Sequence, residues 1–213
     1  TKSCIIYLQN GNWVVDQKKL GVDSSILNLF PVPIFTVDNF LTDDEKNYLL
    51  LEVDKENHHK HSAFTESSFS THGSGINFLQ KSNFYGIFEK TTNLLNEFAS
   101  TYGIKRLKIT TSWSNIQNSG SELIDHMHPN SKISGCIYLN VDEDSSKIYF
   151  HNPNPYVNFT ASKTSTCFNY QNQWIPVKNC QLLIFPSWLK HGKNDLKNQM
   201  DDRVVVSFNA SSK

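Results

Sequence analysis

The stretch LIDHMHPN, Leu123 to Asn130, sets His126 and His128 two residues apart. In an extended strand, side chains at i and i+2 share a face. The two imidazoles then point one way, and Asp125 and Met127 the other. A third histidine, His191, follows a strongly apolar run in LLIFPSWLKHGK. A mononuclear non-haem iron takes three protein ligands on one face of an octahedron and keeps its other positions open. Two ligands from one strand and one from a remote strand suit that geometry. His126, His128 and His191 are therefore candidate metal ligands, against the plainer reading of surface or packing histidines. Twelve residues past His191, Arg203 opens RVVVSFN. An inward guanidinium there can clamp a carboxylate through two parallel charge-assisted bonds. The carboxylate would be the far end of a dicarboxylic cosubstrate that chelates the metal.

Composition narrows the field. The chain has 213 residues and a formal net charge of zero. That length suits one domain, or one domain with an extension, and it can bury a core. A neutral chain does not fit duplex nucleic-acid binding through a broad basic face. No apolar run of about 18 residues exists, so no transmembrane helix is expected, and no membrane partner. No signal peptide is expected either, because no apolar stretch follows a basic start. Cys4, Cys136, Cys167 and Cys180 lack CxxC spacing and read as reduced thiols of a cytoplasmic protein. Lysine is plentiful, but only Arg106 and Arg203 are arginines. An AT-rich genome gives that bias, and a retained arginine then hints at a need for a planar fork.

The elements that must hold these residues change character along the chain. Residues 1–27 read as an N-terminal arm or extension. FPVPIF, Phe30 to Phe35, cannot be helix and reads as an extended edge strand. Thr42 and Glu45 form a capping-box pattern ahead of a helix whose stripe is Leu49, Leu50 and Val53. Residues 55–75 are polar and carry His58, His59, His61 and His72. They read as a solvated loop or, functionally, as a lid, with His72 a candidate substrate contact. A second helix is expected over about 83–102, with Gly103 as its stop. Residues 28–106 thus form a helical support layer. From Leu107 the period becomes two, in LKITTSW, SGCIYLNV, SKIYF, STCFNY, QWIPVK, QLLIFP and RVVVSFN. Short strands after a helical layer predict a mainly β fold with N-terminal α-helices, its core at 107–213 a jelly roll or barrel.

NIQNSGSELIDHMH, SGCIYLN and FPSWLKHGK…RVVVSFN together resemble the 2-oxoglutarate and Fe(II)-dependent dioxygenases. Asn115, Gly120, Leu123 and His126 fall in step with that family's stretch before its metal pair. The chain is most similar to a branch of bacteria and marine phages with a His-x-His-Pro pattern, which places the protein in a bacterial or phage-infected host cell. The resemblance spans about residues 28–210. It implies a double-stranded β-helix (a cupin-like jelly roll), Fe(II) and 2-oxoglutarate as cofactors, and dioxygen as cosubstrate. It also implies His126, His128 and His191 as ligands, and Arg203 and Asn115 toward the cosubstrate.

Two departures matter. His128 stands where the family usually has a carboxylate; three neutral imidazoles leave the ion a formal charge of +2 instead of +1. The alternatives are water, halide or Asp125 in that place. Gln117 stands where related enzymes often have tyrosine, so Tyr138 is the candidate second donor to the cosubstrate carboxylate. Ser187 and Trp188 are weaker candidates for the pocket. The expected reaction is hydroxylation of a C–H bond in a peptidyl or small-molecule substrate. The competing readings are a three-histidine iron dioxygenase without 2-oxoglutarate and a non-catalytic binding module. The sequence leaves oligomeric state open.

Overall fold

The computed structural model describes residues 6–9, 12–15, 29–65, 68–82, 85–156, 166, 168–192 and 197–212. The chain falls into two compact units, Thr1–Pro33 and Ile34–Lys213. In the first, β1 (Ile6–Gln9) and β2 (Asn12–Val15) form an antiparallel hairpin. Among the described residues no helix is long and apolar enough to cross a membrane.

In the second unit α1 (Asp43–Asp54) starts on the expected capping box. The Thr42 hydroxyl accepts from the Glu45 N–H at 3.3 Å, and the Glu45 carboxylate accepts from the Thr42 N–H at 2.8 Å. Two orphan amides of the helix end are thereby satisfied. Thr42→Ala should cost about 1 kcal/mol, a drop of roughly 2–4 °C in Tm for a chain of this size, read by calorimetry. The second long helix, α3 (Ile87–Ser100), begins later than its periodicity suggests. Gly86 at φ 67° interrupts the helical path just before it. Of the stretch expected to precede it, Asn83 and Phe84 lie outside the described residues. A short α2 (Phe78–Lys81) was not legible in the sequence.

The remaining strands make two sheets. In chain order they are β3 (Phe35–Val37), β4 (His59–Lys60), β5 (Ser68–Ser70), β6 (Lys108–Gln117), β7 (Ile133–Asn140), β8 (Ile148–His151), β9 (Asn172–Ile175), β10 (Leu182–Pro186), β11 (His191–Gly192) and β12 (Arg203–Ser211). The larger sheet has order β3-β10-β7-β12-β6-β5-β4, and the smaller one β11-β8-β9. This is the mainly β, double-stranded β-helix architecture with supporting helices. Of FPVPIF only Phe35 is strand, and β3 is an edge, as two prolines require.

Two expectations are corrected here. Part of the polar 55–75 stretch is a hairpin, β4 against β5, hydrogen-bonded to β6. STCFNY contributes no described strand. Of its residues Ser165 and Cys167 lie outside the described ones, and Phe168 and Asn169 lie in a turn, where Asn169 Oδ1 accepts from the Thr166 N–H at 2.6 Å.

Period-two alternation explains which residues reach the interior. On β12, Val204, Val206, Phe208 and Ala210 join a core with Leu49, Ile87, Leu95 and Phe98 from the helices. Arg203, Val205 and Ser207 therefore face the other way, into the barrel. On β7, Ile137 and Leu139 take the helix side, while Cys136 and Tyr138 turn inward. Antiparallel register then lines up rows across the sheet: Gln117 opposite Arg203; Asn115, Val205 and Tyr138; Trp113, Ser207 and Cys136.

Candidate metal centre and cosubstrate pocket

The segment carrying His126 and His128 is not a regular strand. It is held by backbone bonds at chosen points. His126 and His191 exchange both main-chain bonds, N–H to carbonyl at 2.9 and 3.1 Å. The His128 N–H donates to the Ser187 carbonyl at 2.9 Å. Gly192 lets the two segments approach: a Cβ there would lie 2.6 Å from the Ile124 carbonyl oxygen, and its φ is +136°. Gly192→Ala must therefore push residues 124–126 away from β11. Metal affinity should fall by about 10–100-fold, the range seen when a supporting contact of a ligand is lost. Isothermal titration of the apo-protein reads it.

The result of this bracing is a cluster. One ligand atom each from His126, His128 and His191 lies within 4.8 Å of the other two. The Nδ1 of His126 sits 2.8 Å from the Ile124 carbonyl, and that of His191 2.8 Å from the Leu189 carbonyl. A carbonyl only accepts, so both rings carry their proton on Nδ1 and leave the Nε2 lone pair free. His128 has the Asn209 amide 3.4 Å from its Nδ1, and Asn209 accepts from the Ser134 hydroxyl at 2.7 Å.

Burial, the largest cause in each case, pushes His191 down to about 3 and His128 to about 4, and lowers His126. All three are neutral at pH 7, as imidazole ligands must be. Phe185 packs its ring 4.7 Å from that of His191. Three convergent neutral imidazoles fit a divalent first-row transition ion. Asp125 points elsewhere: its carboxylate lies 3.0 Å from His151 Nε2 and 3.1 Å from Lys190 Nζ.

A cavity of about 250 Å³ opens over the cluster. A second, of about 60 Å³, adjoins it and contains Arg203. The two share Phe64, Asn115, Leu123, Cys136, Ile148 and Ser207 as walls. Arg203 is buried and has no acidic partner among the described residues. One Nη donates to Gln117 Oε1, the other to the Ser146 carbonyl at 3.2 Å. The guanidinium lies 5.7 Å from the centre of the Tyr138 ring. Among the described residues its buried Nε has no partner. Tyr138 is fully buried beside it, and burial raises its phenol well above the ordinary tyrosine range. A charged fork and a protonated phenol in one small pocket suit a carboxylate. Cys136, pushed up to about 11 by burial, stays a neutral thiol wall.

Of the residues singled out in the sequence, the structure brings together His126, His128 and His191, with Arg203, Tyr138 and Asn115 on the adjoining walls. Asn115 is largely engaged by protein: it accepts from Ser70 at 2.7 Å and donates to Ser207 at 3.2 Å. His72 lines the larger cavity. Ser187 and Trp188 line neither. Ser187 is a buried turn residue bonded to Ser134 at 2.7 Å, and the indole of Trp188 is half exposed. Sequence reasoning missed Gln117 as the Arg203 partner, and Trp113, His61 and Ser207 as cavity walls. Strand alternation from Asn115 or Arg203 would have found Trp113, Gln117 and Ser207.

Residues 111–209 match the model of a family described as "Putative 2OG-Fe(II) oxygenase". The matched residues are the β core, so this part of the chain is similar to the 2-oxoglutarate/Fe(II)-dependent oxygenases. The description of that family names Fe(II) and 2-oxoglutarate. No curated protein matches the chain's sequence.

Solved structures share its fold at low identity. HygX from Streptomyces hygroscopicus, solved with nickel and 2-oxoglutarate bound, is 8% identical with a TM-score of 0.59, covering 85% of this chain and 84% of HygX. A Pseudomonas putida prolyl-4-hydroxylase is 11% identical with a TM-score of 0.56, covering 85% and 94%. A Trichoplax adhaerens prolyl hydroxylase, in complex with a hypoxia-inducible-factor peptide fragment, is 13% identical with a TM-score of 0.53, covering 83% of each chain.

Proposed function

We propose that the protein is a 2-oxoglutarate/Fe(II)-dependent oxygenase that hydroxylates a C–H bond of a peptidyl or small-molecule substrate, with His126, His128 and His191 as the iron ligands, Arg203 as the anchor of 2-oxoglutarate and dioxygen as cosubstrate. The observation that carries this reading is the pairing of a three-imidazole cluster with a buried, acid-free guanidinium on two cavities that share walls. When bound, the Fe(II)–2-oxoglutarate pair supplies the oxidative chemistry, in which dioxygen is consumed, 2-oxoglutarate gives succinate and CO2, and the substrate gains a hydroxyl.

The residues do the rest. The Nδ1 bonds to the Ile124 and Leu189 carbonyls hold two rings with their lone pairs turned to the ion. Arg203 and Tyr138 would hold the far carboxylate, and Gln117 fixes the guanidinium plane. Phe64, Leu123 and Ile148 keep water from the shared boundary of the two cavities.

Purified protein incubated with Fe(II), 2-oxoglutarate and oxygen should form succinate and CO2. Oxygen uptake on a substrate without any succinate would instead favour a three-histidine dioxygenase that uses no oxo-acid. The absence of a carboxylate ligand is the observation on that side.

A further inference from the structure

A second histidine group faces the larger cavity from the β4–β5 hairpin. His61 and His72 both line it, and Trp113 stands between His72 and His128, with ring centres 4.6 and 6.2 Å away. The hairpin is fastened to the metal segment by main chain: the Ile124 N–H donates to the Ala63 carbonyl at 2.8 Å, and the Thr65 N–H to the Glu122 carbonyl at 3.0 Å. Its two ends are also tied, since His59 Nε2 donates to the His72 carbonyl at 3.1 Å.

Proton positions in the pair follow from one backbone bond. The Ala63 N–H points at His61 Nδ1 at 3.1 Å. An amide N–H can only donate, so His61 Nδ1 holds a lone pair and the proton sits on Nε2. That Nε2–H faces His72 Nδ1 at 3.0 Å. His72 Nδ1 therefore accepts, and the proton of His72 is placed on its Nε2. Among the described residues that Nε2–H has no partner. Burial lowers both histidines from their ordinary values, which keeps the relay neutral. Among the described residues, no Asp, Glu, Lys or Arg lines this cavity. A zwitterionic guest would lose its hydration there without a protein side chain of opposite charge.

We propose that His72 anchors the substrate by donating its Nε2–H to an uncharged carbonyl oxygen, that His61 is the positioning residue which fixes this tautomer, and that the substrate is an amide-linked amino-acid unit, not a free amino acid. This rests on the oxygenase reading for the reaction, but the tautomers stand apart from it.

The test uses the whole chain with 15N-histidine, loaded with Zn(II) and 2-oxoglutarate, and long-range 1H–15N correlation. His61 and His72 should both show a protonated Nε2 and a bare Nδ1. The probes are the N-acetyl amides of the common amino acids and the same amino acids free. At least one blocked amide should move the His72 Nε2 resonance and stimulate succinate formation by the Fe(II) enzyme, and the free amino acids should do neither.

His72→Phe should lower kcat/KM for that amide by at least about tenfold, the scale of one lost hydrogen bond at a site built around it. Its Fe(II)–2-oxoglutarate absorption band should remain, which shows that it folds. His72→Gln keeps a donor and should recover part of the loss. His61→Phe should turn His72 into a mixture of tautomers and raise KM more than it lowers kcat. A protonated Nδ1 on His72 in the wild type, equal binding of free amino acids, or no blocked amide that moves His72 would each overturn the proposal. Absence of the absorption band in the wild type would instead sink the oxygenase reading.

Discussion

His191→Ala removes iron binding. The loss exceeds the roughly 10–100-fold that follows when only a supporting contact is deleted, because a ligand atom itself disappears from the cluster of three. The fold survives, since His191 is tied to His126 through backbone amides and carbonyls that alanine retains. The expected picture is a folded protein whose Fe(II) titration is flat, whose charge-transfer band with 2-oxoglutarate is absent, and which forms no succinate. His191 is the most diagnostic of the three ligands. It is the only one fully buried, and its ring is packed by Phe185 and Phe150 at 4.7 and 5.9 Å. Full metal stoichiometry in this variant would mean that the ion sits elsewhere.

Arg203→Met is expected to separate stability from function. The guanidinium is buried, and burial pushes it down from the ordinary arginine value, yet the group remains charged. Taking an ion out of water costs several kcal/mol after relaxation. Gln117, the Ser146 carbonyl and the Tyr138 ring offset this with neutral partners only. Without its cosubstrate the protein therefore carries an incompletely compensated charge, and methionine should leave its Tm unchanged or higher. With 2-oxoglutarate at about 100 times its Kd, the wild type gains about 2.7 kcal/mol, a rise of roughly 5–10 °C. The variant should gain less than about 1 kcal/mol at that concentration, because loss of a buried charge partner costs about 2–5 kcal/mol, roughly 30-fold or more in affinity. Arg203→Lys should behave like the methionine variant toward 2-oxoglutarate, since an ammonium cannot form the fork. Thermal shift with and without 2-oxoglutarate reads both effects.

These two residues show how far the sequence reaches. The closeness of His126 and His128 was legible because residues at i and i+2 of an extended chain share a face, and His191 stood out because it follows an apolar strand. The bracing around them was not. β11 is two residues long, too short for any periodicity, and the strand-like pairing of His126 is a single bridge to His191. The polar 55–75 stretch hid β4 and β5 because strands of two and three residues are too short to show a period. STCFNY failed the other way. Its aromatic residues raise strand propensity, but the side chain of Asn169 closes a turn. Gln117 was seen as a departure from a family pattern, not as the partner of Arg203, because cross-strand register is set by the whole sheet.

The most direct measurement is a crystal structure of the protein grown anaerobically with Fe(II) and 2-oxoglutarate, with anomalous scattering collected at the iron edge. The account predicts one iron peak within bonding distance of nitrogens from His126, His128 and His191, and 2-oxoglutarate density running from that ion to the Arg203 guanidinium. An iron peak held by Asp125 or by only two histidines, or an oxo-acid whose far carboxylate does not meet Arg203, would contradict it.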